Sequence, residues 1–160
     1  YAQRSQRYCS EDGFGYVTPK TIQDSEEATV VYKTIMRDLA YKYKQLQKLG
    51  IPNEDARMVL PNACETQIEV KMNGRALMNF FAERLCKRAQ WEIRELAKLM
   101  LKAVKEHDSQ CEEYAKLCGP KCERYGKEFG FCPETKSCGR HPRLQDIMEN
   151  YNNYKDLCDS

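Results

Sequence analysis

Apolar residues recur at helical spacing over residues 24–49. They fall at every third or fourth position, and the acidic residues that follow Ser25 suit the positive end of a helix dipole. Gly50 comes next, at the place where glycine commonly stands just past a helix end. The pattern predicts a long amphipathic helix whose buried stripe is Val31, Ile35, Leu39, Leu46 and Leu49.

A short helix and a strand are predicted after it. Asn53 can cap a helix that ends before Pro61, because its side chain can accept a hydrogen bond from the first turn. Residues 66–72 alternate between polar and apolar positions, which is the period of a strand with one buried face. The apolar face of that strand is Ile68, Val70 and Met72.

Asn73 and Gly74 allow two interpretations. An Asn-Gly pair after an alternating run is typical of a hairpin turn, whereas Asn is also a common helix cap. The apolar residues that follow are spaced as one face of a helix, so we favour the cap. These residues are Leu77, Phe80 and Phe81.

Two more helices are predicted in the second half of the chain. The last stretch, residues 144–157, is predicted as a closing helix. A helical stripe over residues 93–106 consists of Ile93, Leu96, Ala97, Met100 and Val104. Together with the strand, these elements place the chain in the α+β class, rich in helices.

Arg84 lies on the apolar face of the helix that starts near Asn73. It follows Leu77 by seven residues and Phe80 by four, so we expect a buried or half-buried guanidinium, with Arg88 one turn farther along the same side. Such a charge needs an anion or several acceptors. Two explanations stay open: the stem snorkels to the surface or pairs with a carboxylate, or the charge serves a ligand.

Three other polar residues raise the same question. Arg75 and Asn79 are one turn apart near a helix start, where backbone N–H groups favour anionic ligands, but a solvated polar face has the same pattern. Arg57 lies among acidic residues before Pro61, and it is either half of a surface ion pair or a ligand contact.

Composition limits the kind of protein this is. The chain has 160 residues, enough for one ordinary domain, and its 41% of hydrophobic residues excludes a wholly disordered or collagen-like chain. The formal net charge is +2, from 26 basic and 24 acidic residues, so we expect no bulk binding to nucleic acid or to a membrane surface. No stretch approaches the roughly 18 consecutive apolar residues of a membrane span.

Nine cysteines are present, and six of them lie in the last third of the chain. The polar run at residues 3–7 is unlike an apolar signal segment, so we expect a cytoplasmic protein with reduced thiols. Cysteines in paired short spacings also suit zinc, although the last interval is wider than usual. The alternative is a set of free thiols in a loop-rich extension. The candidate zinc ligands are Cys118, Cys122, Cys132 and Cys138.

Several separated blocks resemble one known family. In order along the chain they are QRSQRY at 3–8, DARMVLP at 55–61, NGRALMNFF at 73–81, Arg84, and AQWEIR at 89–94. In that order and at those spacings, the chain resembles the C-terminal half of a flavin-dependent thymidylate synthase. The resemblance covers about residues 1–106, and residues 107–160 form a separate Cys-rich extension.

The resemblance implies a fold of long helices packed on an antiparallel sheet, and a reaction on a nucleotide. Members of the family methylate dUMP to dTMP, taking the carbon from methylenetetrahydrofolate and the reducing equivalents from NADPH through bound FAD. They are homotetramers whose active sites are shared between subunits. No cysteine nucleophile is required, so Cys64 and Cys86 are expected to be small core residues.

The same resemblance implies the site residues. Arg84 is expected to stabilise negative charge on the uracil ring of dUMP and so to activate it. The residues that match dUMP contacts, besides Arg84, are Gln3, Arg4, Ser5, Gln6, Arg7 and Arg57. The residues that match FAD contacts are Gln3, Asn73, Gly74, Arg75 and Asn79.

The chain also departs from the family pattern. The family signature places Arg-His-Arg ahead of a serine, and if Ser5 is that serine, the Arg-His-Arg block lies before Tyr1. We therefore expect a truncated member that is colourless and inactive by itself. Gln3 replaces the usual Glu, and Gly74 replaces a common Ala and leaves the backbone open to a ligand. The alternative function is a non-catalytic, zinc-stabilised fragment that binds a nucleotide or a protein.

Overall fold

The chain folds into two compact units. The computed structural model describes residues 1–123 and 130–158, with side chains described as far as residue 151. One unit spans Tyr1–Lys71 and the other spans Met72–Ser160. The boundary at residue 106, which separates the family-like part from the extension, stays a prediction.

The first unit combines helices with a small sheet. In chain order its elements are β1 (Ala2–Gln3), α1 (Lys20–Gln23), α2 (Glu26–Lys48), α3 (Asn53–Ala56), a 3₁₀ turn (Arg57–Val59) and β2 (Ile68–Glu69). The two strands pair antiparallel, with Ala2 opposite Glu69 and Gln3 opposite Ile68. This pairing brings the N-terminal residues beside the segment that follows α3.

Helix α2 confirms the long helix predicted from the apolar pattern. The Ser25 hydroxyl accepts a hydrogen bond from Ala28 N at 3.2 Å, so the helix begins with a satisfied cap. Gly50 follows the helix end with a φ of +80°, a left-handed conformation that favours glycine. The side chains that the helix buries are Met36 and Tyr43.

The predicted buried stripe of α2 is partly wrong. Val31, Ile35 and Leu49 are 59%, 47% and 78% exposed, whereas Leu39 and Leu46 are half-buried. Helix α2 packs on α1 and α3, which have 4 residues each and are too short to cover the whole stripe. Part of its apolar surface therefore stays exposed.

The predictions for two short elements, the strand over residues 66–72 and the helix that starts at Asn53, are corrected. The strand expected over residues 66–72 is limited to Ile68–Glu69, because its partner β1 has only 2 residues, and both of its residues are exposed. Asn53 is the first residue of α3 rather than its cap, since Pro52 holds the cap position. The Asn53 side chain instead accepts a hydrogen bond from Gln47 Nε2 at 2.8 Å.

Helices dominate the described part of the second unit. Its elements are α4 (Gly74–Arg84), α5 (Trp91–Lys105), α6 (Ser109–Lys116), a 3₁₀ turn (Lys121–Glu123) and α7 (Leu144–Cys158). Helix α4 packs on α5, and α5 packs on α6, with Phe81 and Ala97 fully buried. The Asn73 side chain accepts a hydrogen bond from Ala76 N at 2.9 Å, which confirms the helix cap over the hairpin.

The described elements confirm a helix-rich α+β architecture with a small antiparallel sheet. Helix α5 confirms the helix predicted over residues 93–106, and α7 confirms the closing helix over 144–157. In the described part of the chain, no helix combines the length and the apolar character needed to cross a membrane.

Candidate functional site

Strand pairing fixes the first residues of the N-terminal segment. The Arg4 N–H donates to the Gln67 carbonyl oxygen at 2.8 Å, which continues the ladder between β1 and β2. The Arg4 guanidinium lies 3.3 Å from Glu11 Oε1, and the Glu11 side chain is only 7% exposed. Because a buried carboxylate needs a partner, Arg4 compensates Glu11, and a ligand would compete with Glu11 for this guanidinium.

Two other arginines of the predicted site meet at Glu54. Arg7 Nε donates to Glu54 Oε2 at 2.6 Å, and Arg57 Nε donates to the Glu54 carbonyl oxygen at 3.1 Å. Helix α3 carries Glu54, and the 3₁₀ turn after it carries Arg57. The side chains of Arg7 and Glu54 are each about half exposed, so a phosphate would compete with the Glu54 carboxylate for Arg7.

The remaining predicted residues of this segment have separate contacts. The Ser5 hydroxyl accepts a hydrogen bond from the Arg7 N–H at 3.3 Å, within a turn. The Gln6 amide donates to Cys64 Sγ at 3.9 Å, whereas Gln3 is exposed on β1. Cys64 is half-buried, and burial raises the pKa of its thiol, which suits a residue that is not a nucleophile.

The start of α4 carries the residues that match FAD contacts. Asn73 caps the helix, and Arg75 and Asn79 are exposed. Tyr114 of α6 covers Gly74: its hydroxyl donates to the Gly74 carbonyl oxygen at 2.5 Å, and its ring lies 3.5 Å from where a Cβ on Gly74 would be. Gly74 itself is exposed, so the expectation that its backbone is open to a ligand stays a prediction. Burial raises the pKa of Tyr114 to about 12, so the hydroxyl stays a donor at neutral pH.

Arg84 is the last residue of α4 and lines a cavity of about 240 Å³. The expectation of a buried or half-buried guanidinium is wrong, because Arg84 is exposed. Arg84 is exposed because the end of α4 adjoins a cavity and not packed side chains. Arg88 is also exposed and donates to the Lys136 carbonyl oxygen at 2.8 Å. Among the described residues, the Arg84 guanidinium has no hydrogen-bond or ion-pair partner.

Several thiols line the same cavity. Cys86, expected to be a small core residue, is half-buried at its edge. Cys118 is not among the lining residues, and its thiol donates to the Tyr114 carbonyl oxygen at 3.4 Å instead. The lining also contains side chains of types that can ligate a metal, namely Glu83, Cys122, Cys132, Glu134, Cys138 and His141.

Three side chains come close enough to share one metal ion. One ligand atom each from Cys122, Glu123 and His141 lies within 4.8 Å of the others. His141 Nε2 is 4.0 Å from Glu123 Oε1, which also accepts a hydrogen bond from Arg140 at 3.1 Å. Cys118, a predicted zinc ligand, is not in this group.

The pKa values of two thiols in the cavity, Cys122 and Cys138, are shifted in opposite directions. Burial raises the pKa of Cys122, and the negative charges of Glu123 and Cys138 add to the rise while Arg140 opposes it. The pKa of Cys138 is lowered instead, first by a hydrogen bond from the Arg140 backbone and then by nearby positive charges. Cys138 is therefore the more acidic of the two.

The sequence analysis missed three residues of these sites. His141 lies three residues after Cys138, a spacing common among metal ligands, and this spacing is the signal that would have identified it. Glu123 carries no such signal, since it is one of many acidic residues. Tyr114 carries none either, because its contact with Gly74 joins residues 40 positions apart.

Comparison with known proteins decides the family. The family described as thymidylate synthase complementing protein matches residues 1–108. The chain belongs to this family. The resemblance predicted from the separated sequence blocks is thereby confirmed.

Curated relatives carry a matching name. Proteins named flavin-dependent thymidylate synthase are 40% identical to the chain in Nitratidesulfovibrio vulgaris, 43% in Geobacter sulfurreducens and 40% in Clostridium tetani. Each match covers 92% of this chain, so it extends past residue 108 into the Cys-rich part. The chain spans 61%, 62% and 63% of the length of these relatives.

A solved structure shares the fold. The crystal structure of a UMP/dUMP methylase from Streptomyces cacaoi, bound with 5-Br dUMP, is similar with a TM-score of 0.58 and 21% sequence identity. The similarity covers 74% of this chain and 61% of that chain. At that identity, the likeness concerns the fold alone.

Proposed function

We propose that a protein containing this chain is an FAD-dependent thymidylate synthase that methylates dUMP to dTMP with methylenetetrahydrofolate and NADPH. The observation that carries the proposal is the family match over residues 1–108. The names of the relatives support flavin dependence, and the name of the structural neighbour supports a uracil nucleotide as substrate.

The phosphate of dUMP is assigned to the N-terminal segment. Ser5, Arg7 and Arg57 offer a hydroxyl and two guanidinium groups, and Glu54 contacts both arginines. Neighbouring backbone N–H groups are proposed as further donors, and the Arg7 N–H would have to exchange the Ser5 hydroxyl for the anion. The other substrate residues of the proposal flank Ser5 in sequence and are Gln3, Arg4 and Gln6.

Arg84 is assigned to the uracil ring. Its guanidinium lines a cavity and is unpaired in the described part of the chain, so its charge is available to a ligand. A planar guanidinium can address two adjacent acceptors, such as those on the O2 and N3 edge of uracil. Negative charge stabilised on that edge favours attack from C5, which is the carbon that receives the methyl group.

Flavin binding is assigned to the start of α4 and to Gln3. The donors there fit FAD chemically, because the first N–H groups of a helix and the Arg75 guanidinium favour phosphates, and the Asn79 amide can bind hydroxyls. The Tyr114 hydroxyl uses the carbonyl oxygen of Gly74 and not its N–H group. When bound, FAD supplies the hydride chemistry of the reaction.

A homotetramer with shared active sites is part of the proposal. The exposed apolar residues of α2 support an interface, because Val30, Val31 and Ile35 are 60%, 59% and 47% exposed. The proposed location is the cytoplasm. The eight cysteines that the structure describes are all free, which supports a reducing compartment.

A second candidate function is a non-catalytic fragment, stabilised by zinc, that binds a nucleotide or a protein. The observation that favours it is the convergence of Cys122, Glu123 and His141. The two candidates differ in turnover, because an enzyme converts dUMP whereas a binding fragment only retains it.

The test is an assay of two proteins side by side: the 160-residue chain, and the same chain extended upstream by a segment that carries Arg-His-Arg. We expect the extended protein to be yellow and to form dTMP from dUMP with NADPH and methylenetetrahydrofolate. We expect the 160-residue chain to be colourless and inactive, because half a cofactor site loses preorganisation as well as contacts. An extended protein that binds dUMP without forming dTMP would favour the second candidate.

A further inference from the structure

The backbone of the Cys-rich part brings distant residues to one cavity. The Cys132 N–H donates to the Pro142 carbonyl oxygen at 2.7 Å, and the Cys132 carbonyl accepts from Leu144 N at 3.0 Å. These two bonds hold Cys132 beside the chain that follows His141. Cys122 reaches the same cavity from the 3₁₀ turn, and both thiols are buried.

A tight turn joins Cys138 to His141. Ser137 Oγ donates to the His141 carbonyl oxygen at 2.6 Å and accepts from Gly139 N at 3.0 Å. Gly139 has a φ of +84°, which favours glycine. The turn therefore fixes where the Cys138 and His141 side chains leave the backbone.

A second glycine keeps the space around His141 narrow. A Cβ on Gly130 would lie 2.6 Å from His141 Nε2 and 2.5 Å from the Cys122 carbonyl oxygen, closer than real contacts allow. Only a residue without a side chain lets the backbone pass between them. The backbone at Gly130 therefore packs against both the His141 imidazole and the Cys122 carbonyl oxygen, while the turn at Gly139 positions His141.

The donor set suits zinc. Zinc binds thiolate sulfur at about 2.3 Å and imidazole nitrogen at about 2.0 Å in tetrahedral sites, so two of its ligand atoms are roughly 3.5 Å apart. Cys122 and His141 are already within 4.8 Å of each other at their ligand atoms. Glu123 is less suited, because its carboxylate is paired with Arg140 at 3.1 Å. Cys132 and Cys138 line the same cavity and would supply two further thiolates after a shift, because the described group within 4.8 Å consists of Cys122, Glu123 and His141.

We propose that Cys122, Cys132, Cys138 and His141 bind one structural zinc ion. Compared with the ligands predicted from sequence, His141 takes the place of Cys118. Three thiolates and one imidazole would leave the centre with one net negative charge. None of these ligands is assigned to dUMP or FAD, although Arg84 lines the same cavity, so zinc content is measured separately from turnover.

The zinc site would hold the tail against the end of α4. Two contacts already join these segments: Lys121 Nζ lies 2.7 Å from Glu83 Oε1, and Arg88 donates to the Lys136 carbonyl oxygen at 2.8 Å. Lys121 precedes one ligand, and Lys136 lies between two others. Zinc binding is therefore expected to stiffen the wall of the cavity that Arg84 also lines.

The test measures zinc content by elemental analysis in the 160-residue chain and its variants. We expect about one zinc per chain, and at least about a tenfold loss in Cys122→Ser and in His141→Ala. Cys118→Ser is the matched control, because this thiol lies in the same tail but outside the cavity lining, and it should keep its zinc. Replacement of zinc by Co²⁺ should give the intense charge-transfer absorption of thiolate ligation.

A conservative variant and a measurement of helix content distinguish loss of a zinc ligand from misfolding. His141→Cys keeps four ligands, so it should retain one metal per chain with a changed Co²⁺ spectrum, and circular dichroism should show the helices of the wild-type chain. A metal-free wild-type chain, or full zinc content in Cys122→Ser, would overturn the site. Zinc lost from Cys118→Ser would overturn this ligand set in favour of the four cysteines.

Discussion

The arginines assigned to dUMP differ between the two units in how their side chains are partnered. In the first unit, Arg4 pairs with the buried Glu11, and Arg7 and Arg57 both contact Glu54. In the second unit, Arg84 lines a cavity and has no partner among the described residues. Carboxylates compensate the charges of Arg4 and Arg7, and a backbone carbonyl holds Arg57, whereas the Arg84 charge is left for a ligand.

Because of this difference, we expect the paired arginines to affect the affinity for dUMP and Arg84 to affect the rate of the reaction. A paired guanidinium is held in position, but it must exchange its partner for the ligand, and the net gain is small. An unpaired guanidinium beside a cavity can offer its whole charge to a group that becomes more negative in the transition state. We therefore expect changes at Glu54 to alter mainly the binding of dUMP, and changes at Arg84 to alter mainly the rate of methyl transfer.

The largest effect is expected at Arg84. In an active enzyme that contains this chain, Arg84→Lys and Arg84→Ala should each slow single-turnover dTMP formation by about a hundredfold. Lysine keeps the charge but loses the planar fork that addresses two acceptors. Bound FAD, measured by absorbance, should change little, because Arg84 is not among the residues assigned to FAD.

Arg88→Lys is the matched control for Arg84. It lines the same cavity, but its guanidinium is already engaged with the Lys136 carbonyl oxygen. We expect its turnover to stay within about twofold of the wild-type rate. Near-normal turnover in Arg84→Ala would remove the catalytic assignment, and loss of flavin or of folded protein would make Arg84 a structural residue.

A smaller effect, of opposite sign, is expected at Glu54. Glu54→Gln removes the carboxylate that competes for Arg7, so dUMP should bind up to about fivefold more tightly, the scale of a surface ion pair. Deoxyuridine, which lacks the phosphate, should bind as before. Asp55→Asn is the control, since it removes a neighbouring charge from the same helix. Weaker dUMP binding in Glu54→Gln would instead mean that Glu54 positions Arg7 for the phosphate.

The smallest effect is expected on stability, from the hydrogen bond between the Tyr114 hydroxyl and the Gly74 carbonyl oxygen at the start of α4. Tyr114→Phe keeps the ring on Gly74 but loses the hydroxyl, so the free energy of unfolding should fall by about 1 kcal/mol at neutral pH. The pKa of Tyr114 in the folded chain, about 12, is above the ordinary value of 10.0. Its stabilising contribution is therefore complete below pH 10 and is lost as the pH rises toward 12.

Urea unfolding of the two proteins at several pH values measures this contribution. The wild-type chain should be the more stable at neutral pH, and its advantage should shrink in strongly alkaline solution. Tyr1→Phe is the control, because Tyr1 is 95% exposed. Equal stability of Tyr114→Phe and the wild-type chain at neutral pH would show that the hydrogen bond to Gly74 contributes nothing.

Features that depend on neighbours within a turn or two were predictable from the sequence. The glycine after α2 and the choice of a cap at Asn73 are examples, whereas the cap predicted at Asn53 is wrong because Pro52 holds that position. The family could also be identified, because its sequence blocks keep their order and spacing.

Features that depend on which element covers a face were not predictable. The helix pattern places Arg84 on the apolar side, but it does not show that a cavity adjoins the end of α4. Likewise, the stripe of α2 is apolar along its length, and only the short partners α1 and α3 decide which part is buried. Cysteine spacing indicated three residues of the proposed zinc site, while His141 reaches it through the turn at Gly139.

The proposed mechanism requires the uracil ring of dUMP to bind beside Arg84. Photo-crosslinking with 5-bromo-dUMP tests it directly, because the brominated base reacts on irradiation with the residues next to it. In the active enzyme, we predict a crosslinked peptide that contains the end of α4 and the residues after it, with labelling suppressed by dUMP and reduced in Arg84→Ala. A crosslink confined to peptides outside the lining of this cavity, and still suppressed by dUMP, would contradict the proposed mechanism.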